Sequence, residues 1–236
     1  MVPIRIVATM AEPIVYPGDG MHFDGPLAYG AYRALDDRTR RRMDPISSPW
    51  ALDFRLPLAR WVYGDLPDGG DDRLLDPSSG LMWGWHCSAA HADWLGQSAH
   101  YVRRPPAVAG MVRYSEAGSV ATTGGRYKAQ NKRLPSVFAS SVVWYAVGDA
   151  ALVLALLTLV PSIGKLGAHG LGAVQRWDVD DWHSDWSIER DGALTRRMPE
   201  GYPADGHWGM GGIRSPYHHP SRQVPCVEPD YMELRP

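Results

Sequence analysis

Cysteine, lysine, excess charge of one sign and long apolar runs are all scarce in this chain, and each shortage excludes something. Across 236 residues there are two cysteines, Cys87 and Cys226, far apart and without a CxxC partner. That rules out a disulfide framework and a cysteine zinc knuckle, and it suits a reducing, cytoplasmic compartment. The formal charge is -2, so no histone-like positive coat exists and any basic surface has to be gathered locally. Lysine occurs three times against 21 arginines, and Lys128, Lys132 and Lys165 all fall in two loop-like stretches.

A single apolar run, Val142 to Val160, approaches the length of a bilayer span. Asp149 near its centre would cost about 3 kcal/mol in hydrocarbon. The run also changes character, from β-branched and aromatic to Ala/Leu-rich, with Gly148-Asp149 placed as a helix N-cap and Pro161 as a stop. It therefore reads as a buried strand followed by a buried helix. The first residues, MVPIRIVATMAEP, have one early Arg5 and no long apolar core, which fits a strand better than a signal peptide.

Periodicity organises the remainder. Ile4 to Thr9 alternates as a strand, and Asp24 to Leu35 has helical apolar spacing that Gly30 weakens. Asp36 to Pro49 is a charged connector, Trp50 to Leu56 and Leu81 to Ala90 are strand candidates, and Asp65 to Gly80 is a turn region. Arg103 to Lys132 is a long excursion. Strand Val137 to Val147, helix Asp149 to Val160 and strand Ala173 to Val179 follow, and the chain past about Trp186 is Pro/Gly-rich and expected to be irregular. This order predicts an α+β fold of the ferredoxin-like or RRM-like kind, with residues 1–185 as core, a basic insertion at about 103–133, and residues 186–236 as an extension.

Two stretches carry chemistry suited to RNA. In PSIGKLGAHGLG, residues 161–172, Gly164, Gly167, Gly170 and Gly172 alternate with Lys165 and His169. Glycines let backbone N–H groups approach phosphate oxygens, and lysine adds a mobile charge. Leu166 occupies the Ser/Thr position of a Walker loop, and the loop leaves a helix for a strand, so neither a Walker loop nor a dinucleotide fingerprint fits. The second stretch gathers Arg103, Arg104, Arg113, Arg126, Lys128, Lys132 and Arg133 against one acid, Glu116. Its centre interleaves phosphate-binding cations with Tyr127 for stacking and with Gln130 and Asn131 for base edges.

Other constellations are weaker. His22 and Asp24 are spaced for an acid–base or metal pair, although a helix-capping Asp24 is the simpler reading. Asp178, Asp180, Asp181, His183 and Asp185 would alternate between the faces of a strand and so fail to converge on a metal. They read as an acidic, aromatic edge facing a basic neighbouring subunit. No metal, cofactor or catalytic set is expected.

Five segments carry a family likeness: HFDGPLAYGAY (His22 to Tyr32), DFRLPLARW (Asp53 to Trp61), GRYKAQNKRLP (Gly125 to Pro135), LVPSIGKLGAHGLGAVQRW (Leu159 to Trp177) and VPCVEP (Val224 to Pro229). In this order they resemble the RAMP proteins of CRISPR systems, in particular the type IV subunit that caps the 5′ handle of the guide RNA. Residues 166–169 are less basic than in that family. The resemblance implies a non-catalytic RRM-like subunit that holds the handle and docks on a repeated RAMP backbone subunit and on a large subunit. Its RNA-binding residues would be Arg103, Arg104, Arg113, Arg126, Tyr127, Lys128, Asn131, Lys132, Gly164, Lys165, Gly167, His169 and Gly170. Two alternatives stay open. One is a metal-independent endoribonuclease that processes the CRISPR repeat through His22 or His91 with Tyr29; the other is a scaffold that binds only protein.

Overall fold

The structure, a computed structural model, describes residues 1–15, 20–43, 53–64, 82–104 and 130–231. In chain order its elements are β1 (Val2–Met10), α1 (Asp24–Ala34), α2 (Asp37–Arg42), β2 (Arg60–Tyr63), β3 (Met82–Trp85), β4 (Gly96–Arg104), β5 (Gln130–Phe138), β6 (Ser141–Gly148), α3 (Ala150–Leu157) and β7 (Val174–Asp181). The short strands β8 (Glu189–Arg190), β9 (Ala193–Leu194), β10 (Met198–Pro199), β11 (His207–Gly212) and β12 (Gln223–Glu228) follow. The fold is α+β.

β1 alternates as its sequence requires: Ile4, Ile6 and Ala8 are fully buried, while the intervening residues are partly exposed. It is the middle strand of an antiparallel sheet ordered β6–β1–β7. Outside β6, residues 86–91 run antiparallel to it through bridges Cys87 to Ala146 and His91 to Val143. α1 and α3 supply Leu27, Val153 and Leu157 to the core that contains Ile4, Ile6, Phe23 and Trp144. Each such aliphatic side chain contributes about 1.5–3 kcal/mol by burial. Asp149 caps α3 as expected, its Oδ1 accepting from Leu152 N at 3.0 Å. Gly30, which weakens α1 in isolation, has a tertiary reason: a Cβ there would lie 2.6 Å from Leu156 O, so glycine lets the α1 and α3 backbones touch.

Four expectations need correction. The Arg103 to Lys132 excursion starts and ends inside a ribbon in which β4 pairs with β5 over nine residues each, Arg103 opposite Asn131 and Val102 opposite Lys132. The expected strand Val137 to Val147 breaks at residues 139–140, because β5 belongs to that ribbon and β6 to the main sheet. Residues 53–56 form no strand. The local strand is β2, which follows Pro57 and pairs with β3. The connector after α1 opens as α2, because Asp36 accepts from both Thr39 N, at 2.9 Å, and Thr39 Oγ1, at 2.6 Å.

The chain past Trp186 departs furthest from expectation. It forms a sheet ordered β10–β12–β11, with a second small core of Leu194, Met198, Ile213 and Val227 against Trp61. Arg196, Arg197, Arg214 and Arg222 are all buried. Arg196 Nη1 donates to Cys87 O at 2.9 Å and to Trp85 O, while Nη2 donates to Ile213 O at 2.6 Å. Arg197 pairs with Glu228 at 2.8 Å, and Arg222 pairs with Asp53 at 2.7 Å. Arg196, Arg214 and Arg222 fasten the C-terminal region to the main body by satisfying buried carbonyls and Asp53, while Arg197 ties β11 to β12 within the sheet through Gly212 O and Glu228.

Candidate nucleic-acid interface

The glycine-rich segment leaves α3 through buried Val160 and exposed Pro161 and enters β7. Its base is closed by a Ser162 to Ala173 bridge and by Ile163 N donating to Gly172 O at 2.8 Å. The four glycines divide by job. Gly172, at φ +66, would bring a Cβ to 1.9 Å from Ile163 O. Gly164, at φ +78, would bring one to 2.8 Å from Val15 O. Both are required by close packing on the body. At Gly167 a Cβ would meet Ser162 Oγ at 2.2 Å, whereas Gly170, at φ +83, has nothing within 4 Å of its Cβ position. Gly170 therefore serves an outward-facing turn.

Gly167 to His169 form one turn of 3₁₀ helix, and Leu166 precedes it in the left-handed region at φ 66. That conformation costs a branched residue about 1–2 kcal/mol, and the closed base of the loop holds it there. Lys165, His169 and Gly170 face solvent. The N–H of Gly170 is spent on Gly167 O at 3.0 Å, which corrects the expectation that it faces a ligand and leaves Gly164 and Gly167 as the candidate donors.

The ribbon and this loop, distant in sequence, meet on two consecutive residues. Ile14 exchanges hydrogen bonds with Val137 at the root of β5, at 2.9 and 2.8 Å. Its neighbour Val15 accepts from Lys165 N at 3.1 Å. The backbones of Arg103, Arg104 and Lys132 lie on the ribbon, with Asn131 exposed beside them. Arg113, Arg126, Tyr127 and Lys128 lie outside the described residues.

Behind the loop is a cleft of about 800 Å³ between the start of α1, residues 160–168 and residues 215–218. His22 and Tyr29 both line it, together with Ser162, Lys165, Ser215 and Tyr217. His22 is buried, stacked on Tyr217 with ring centroids 4.6 Å apart, and close to Tyr231 Oη, 3.4 Å from its Nε2. Burial first, then the charges of Arg196 and Arg197, hold its pKa well below the ordinary 6.5. The imidazole is neutral at physiological pH.

Asp24 does not cap α1, which corrects the simpler reading of that residue: the N-cap position is Phe23, with no side-chain cap bond. The Asp24 carboxylate is fully buried and accepts from Ser215 N at 3.0 Å and from Tyr217 Oη. It fixes the far wall of the cleft. That wall went unseen in the sequence, because SPYHHP (residues 215–220) reads as a plain turn-rich stretch.

His91 sits elsewhere, fully buried against Tyr145 at 5.2 Å beside β6. The aromatic part of the expected acidic edge is used inside the molecule: Trp186 packs on Tyr145 at 4.8 Å, and Trp182 lies under Arg5. Among the described residues no group of three or more His, Cys, Asp or Glu side chains is arranged to hold a metal ion, and no helix is long and apolar enough to cross a membrane.

The family model of the CRISPR type IV associated protein Csf3 matches residues 78–229, well over half of the chain. The chain belongs to the Csf3 family. No curated protein matches it. The Csf3 match runs from just before β3 to the end of β12 and takes in the ribbon, the glycine loop and the arginine-fastened C-terminal sheet. The α1 side of the cleft precedes it. As a Csf3-family protein the chain is a type IV CRISPR component.

Proposed function

We propose that this protein is the guide-RNA-binding structural subunit of a type IV CRISPR ribonucleoprotein. In this reading it holds the repeat-derived 5′ handle and caps a filament of repeated RAMP subunits, beside the large subunit. The observation that carries the reading is the junction at Ile14 and Val15, where the root of the cation-bearing ribbon and the Lys165 turn are pinned side by side. One strand of RNA can then pass from one to the other, its phosphates met by scattered cations and glycine-exposed N–H groups. The sheet order, residues 86–91, β6, β1, β7, with α1 after β1 and α3 between β6 and β7, supports a ferredoxin-like RAMP core.

Binding without cleavage is the favoured reading because His22, a natural candidate for acid–base work beside Tyr29, is buried with its ring stacked on Tyr217 and edge-on to Tyr231. The test is expression with the other type IV subunits, followed by extraction of nucleic acid. A discrete short RNA should copurify, and purified protein should leave labelled repeat RNA uncut with or without EDTA. Replacing Arg126, Tyr127 and Lys128 with Ala should weaken single-stranded RNA binding and flatten its salt dependence by about 0.7 per lost phosphate contact. An RNA-free complex would favour the scaffold. Cleavage lost on His22→Ala or His91→Ala would favour the endoribonuclease.

A further inference from the structure

Resting on that reading, we propose that the cleft behind the glycine loop seats one unpaired nucleobase, with Tyr29 as its stacking face and Lys165 taking the adjoining phosphate. Tyr29 is a large aromatic that stays 44% exposed although its neighbours Ala28 and Gly30 on α1 are buried. It lines the cleft together with Met21, Pro26, Val160, Ile163 and Pro216, which make apolar walls. The floor is open beside Gly25, where a Cβ would meet nothing within 4 Å. A cleft of about 800 Å³ exceeds one base and accommodates a nucleotide with its sugar.

The electrostatics select an anion-bearing guest. Among the described lining residues there is no carboxylate, while Lys165 and His218 stand at the rim. Asp24, two residues from His22, is turned inward and occupied by Ser215 N and Tyr217 Oη. The wall is also rigid, because Tyr217 is anchored by Asp24 and stacked on His22. A preformed slot with an aromatic face, apolar sides and a cation at its mouth matches a base stacked flat with its phosphate outside. Asp24 and His22 act here as positioning residues, since both hold Tyr217, Asp24 from outside the lining and His22 by stacking within it.

The experiment compares two probes on the full chain at low salt: a mixed-sequence single-stranded RNA, and an oligomer of equal length whose sugars carry no bases. Tyr29→Ala should weaken binding of the base-bearing RNA about tenfold, leave the base-free oligomer unchanged and leave the melting temperature unchanged. Tyr29→Phe should restore base-dependent binding. Gly25→Leu, which fills the floor, should reproduce the Tyr29→Ala loss on the base-bearing RNA alone. Equal effects of Tyr29→Ala on both probes, or none on either, overturn the base seat while RNA binding stands. If the unaltered protein binds neither probe, the RNA reading falls and the base seat falls with it.

Discussion

The main sheet and the C-terminal sheet are held together by different physics. In the first, Ile4, Ile6, Leu27, Trp144, Val153 and Leu157 interlock as apolar side chains from strands and helices of regular period. In the second, an apolar cluster of five buried residues is supplemented by four buried arginines, of which Arg196, Arg214 and Arg222 reach across to backbone carbonyls and Asp53, and Arg197 pairs with Glu228 inside the sheet. Apolar burial is non-directional and tolerates local repacking. A buried guanidinium is directional, and losing it strands its acceptors in a dry interior. The C-terminal sheet should therefore be the more brittle of the two under single substitutions, although it has the smaller core.

The largest test of that contrast is Arg196→Met. It should cost about 2–6 kcal/mol, because the carbonyls of Cys87 and Ile213 lose the Arg196 donor at about 1–3 kcal/mol each, while Trp85 O keeps Trp61 Nε1. Leu157→Ala in the main core should cost about 2–5 kcal/mol, with the surroundings free to relax into the void. Urea unfolding of both variants decides it: a smaller loss for Arg196→Met than for Leu157→Ala would abolish the distinction.

Gly30→Ala comes next. In an ordinary helix this change stabilises by about 0.5–1 kcal/mol. Here the new methyl would meet Leu156 O, so a loss of about 1–3 kcal/mol is expected from the same unfolding measurement. A gain would mean that α1 and α3 are not in backbone contact.

Acid should then weaken the junction between the two regions. The His22 pKa is depressed in the folded protein relative to the ordinary 6.5 of an unfolded chain. The unfolded state consequently binds the proton first, and stability present above 6.5 falls as the pH drops below it, with a slope approaching about 1.4 kcal/mol per unit. His86, also lowered, chiefly by burial, adds in the same direction. His22→Gln should flatten the decline between about pH 6.5 and 5.5, and an unaltered slope would place the proton uptake elsewhere.

The smallest stability effect is expected at Gly170. Its Cβ position is open but its φ is +83, so Gly170→Val should cost about 1–2 kcal/mol of backbone strain while reducing RNA retention more sharply. An early-melting variant that holds RNA normally would assign Gly170 to folding, alongside Gly164 and Gly172.

Much of the main sheet was legible in advance. β1, the β6–α3 junction with its Asp149 cap, and β7 follow from alternation, a switch in residue type and a capping residue, all of which are local. The glycine loop was legible as a helix-to-strand connection. Which of its glycines pack and which face outward was not, because that depends on Ile14, Val15 and Ser162 approaching from elsewhere in the chain. The ribbon's inner ends, residues 103–104 and 130–132, read as part of a loop because their polar and charged residues give no two-residue alternation.

By itself, then, the sequence determined the strands and helices that carry a regular apolar period, the cap of α3, and the placing of cations and glycines in two stretches suited to phosphate. Tertiary structure alone decided that those stretches meet at Ile14 and Val15, that Asp24 turns inward to hold Tyr217, and that Arg196, Arg214 and Arg222 fasten the C-terminal sheet. The reason is physical. Burial of apolar side chains leaves a periodic mark in a sequence, whereas the partners of these contacts are largely backbone carbonyls and N–H groups, which every residue carries and no residue type announces.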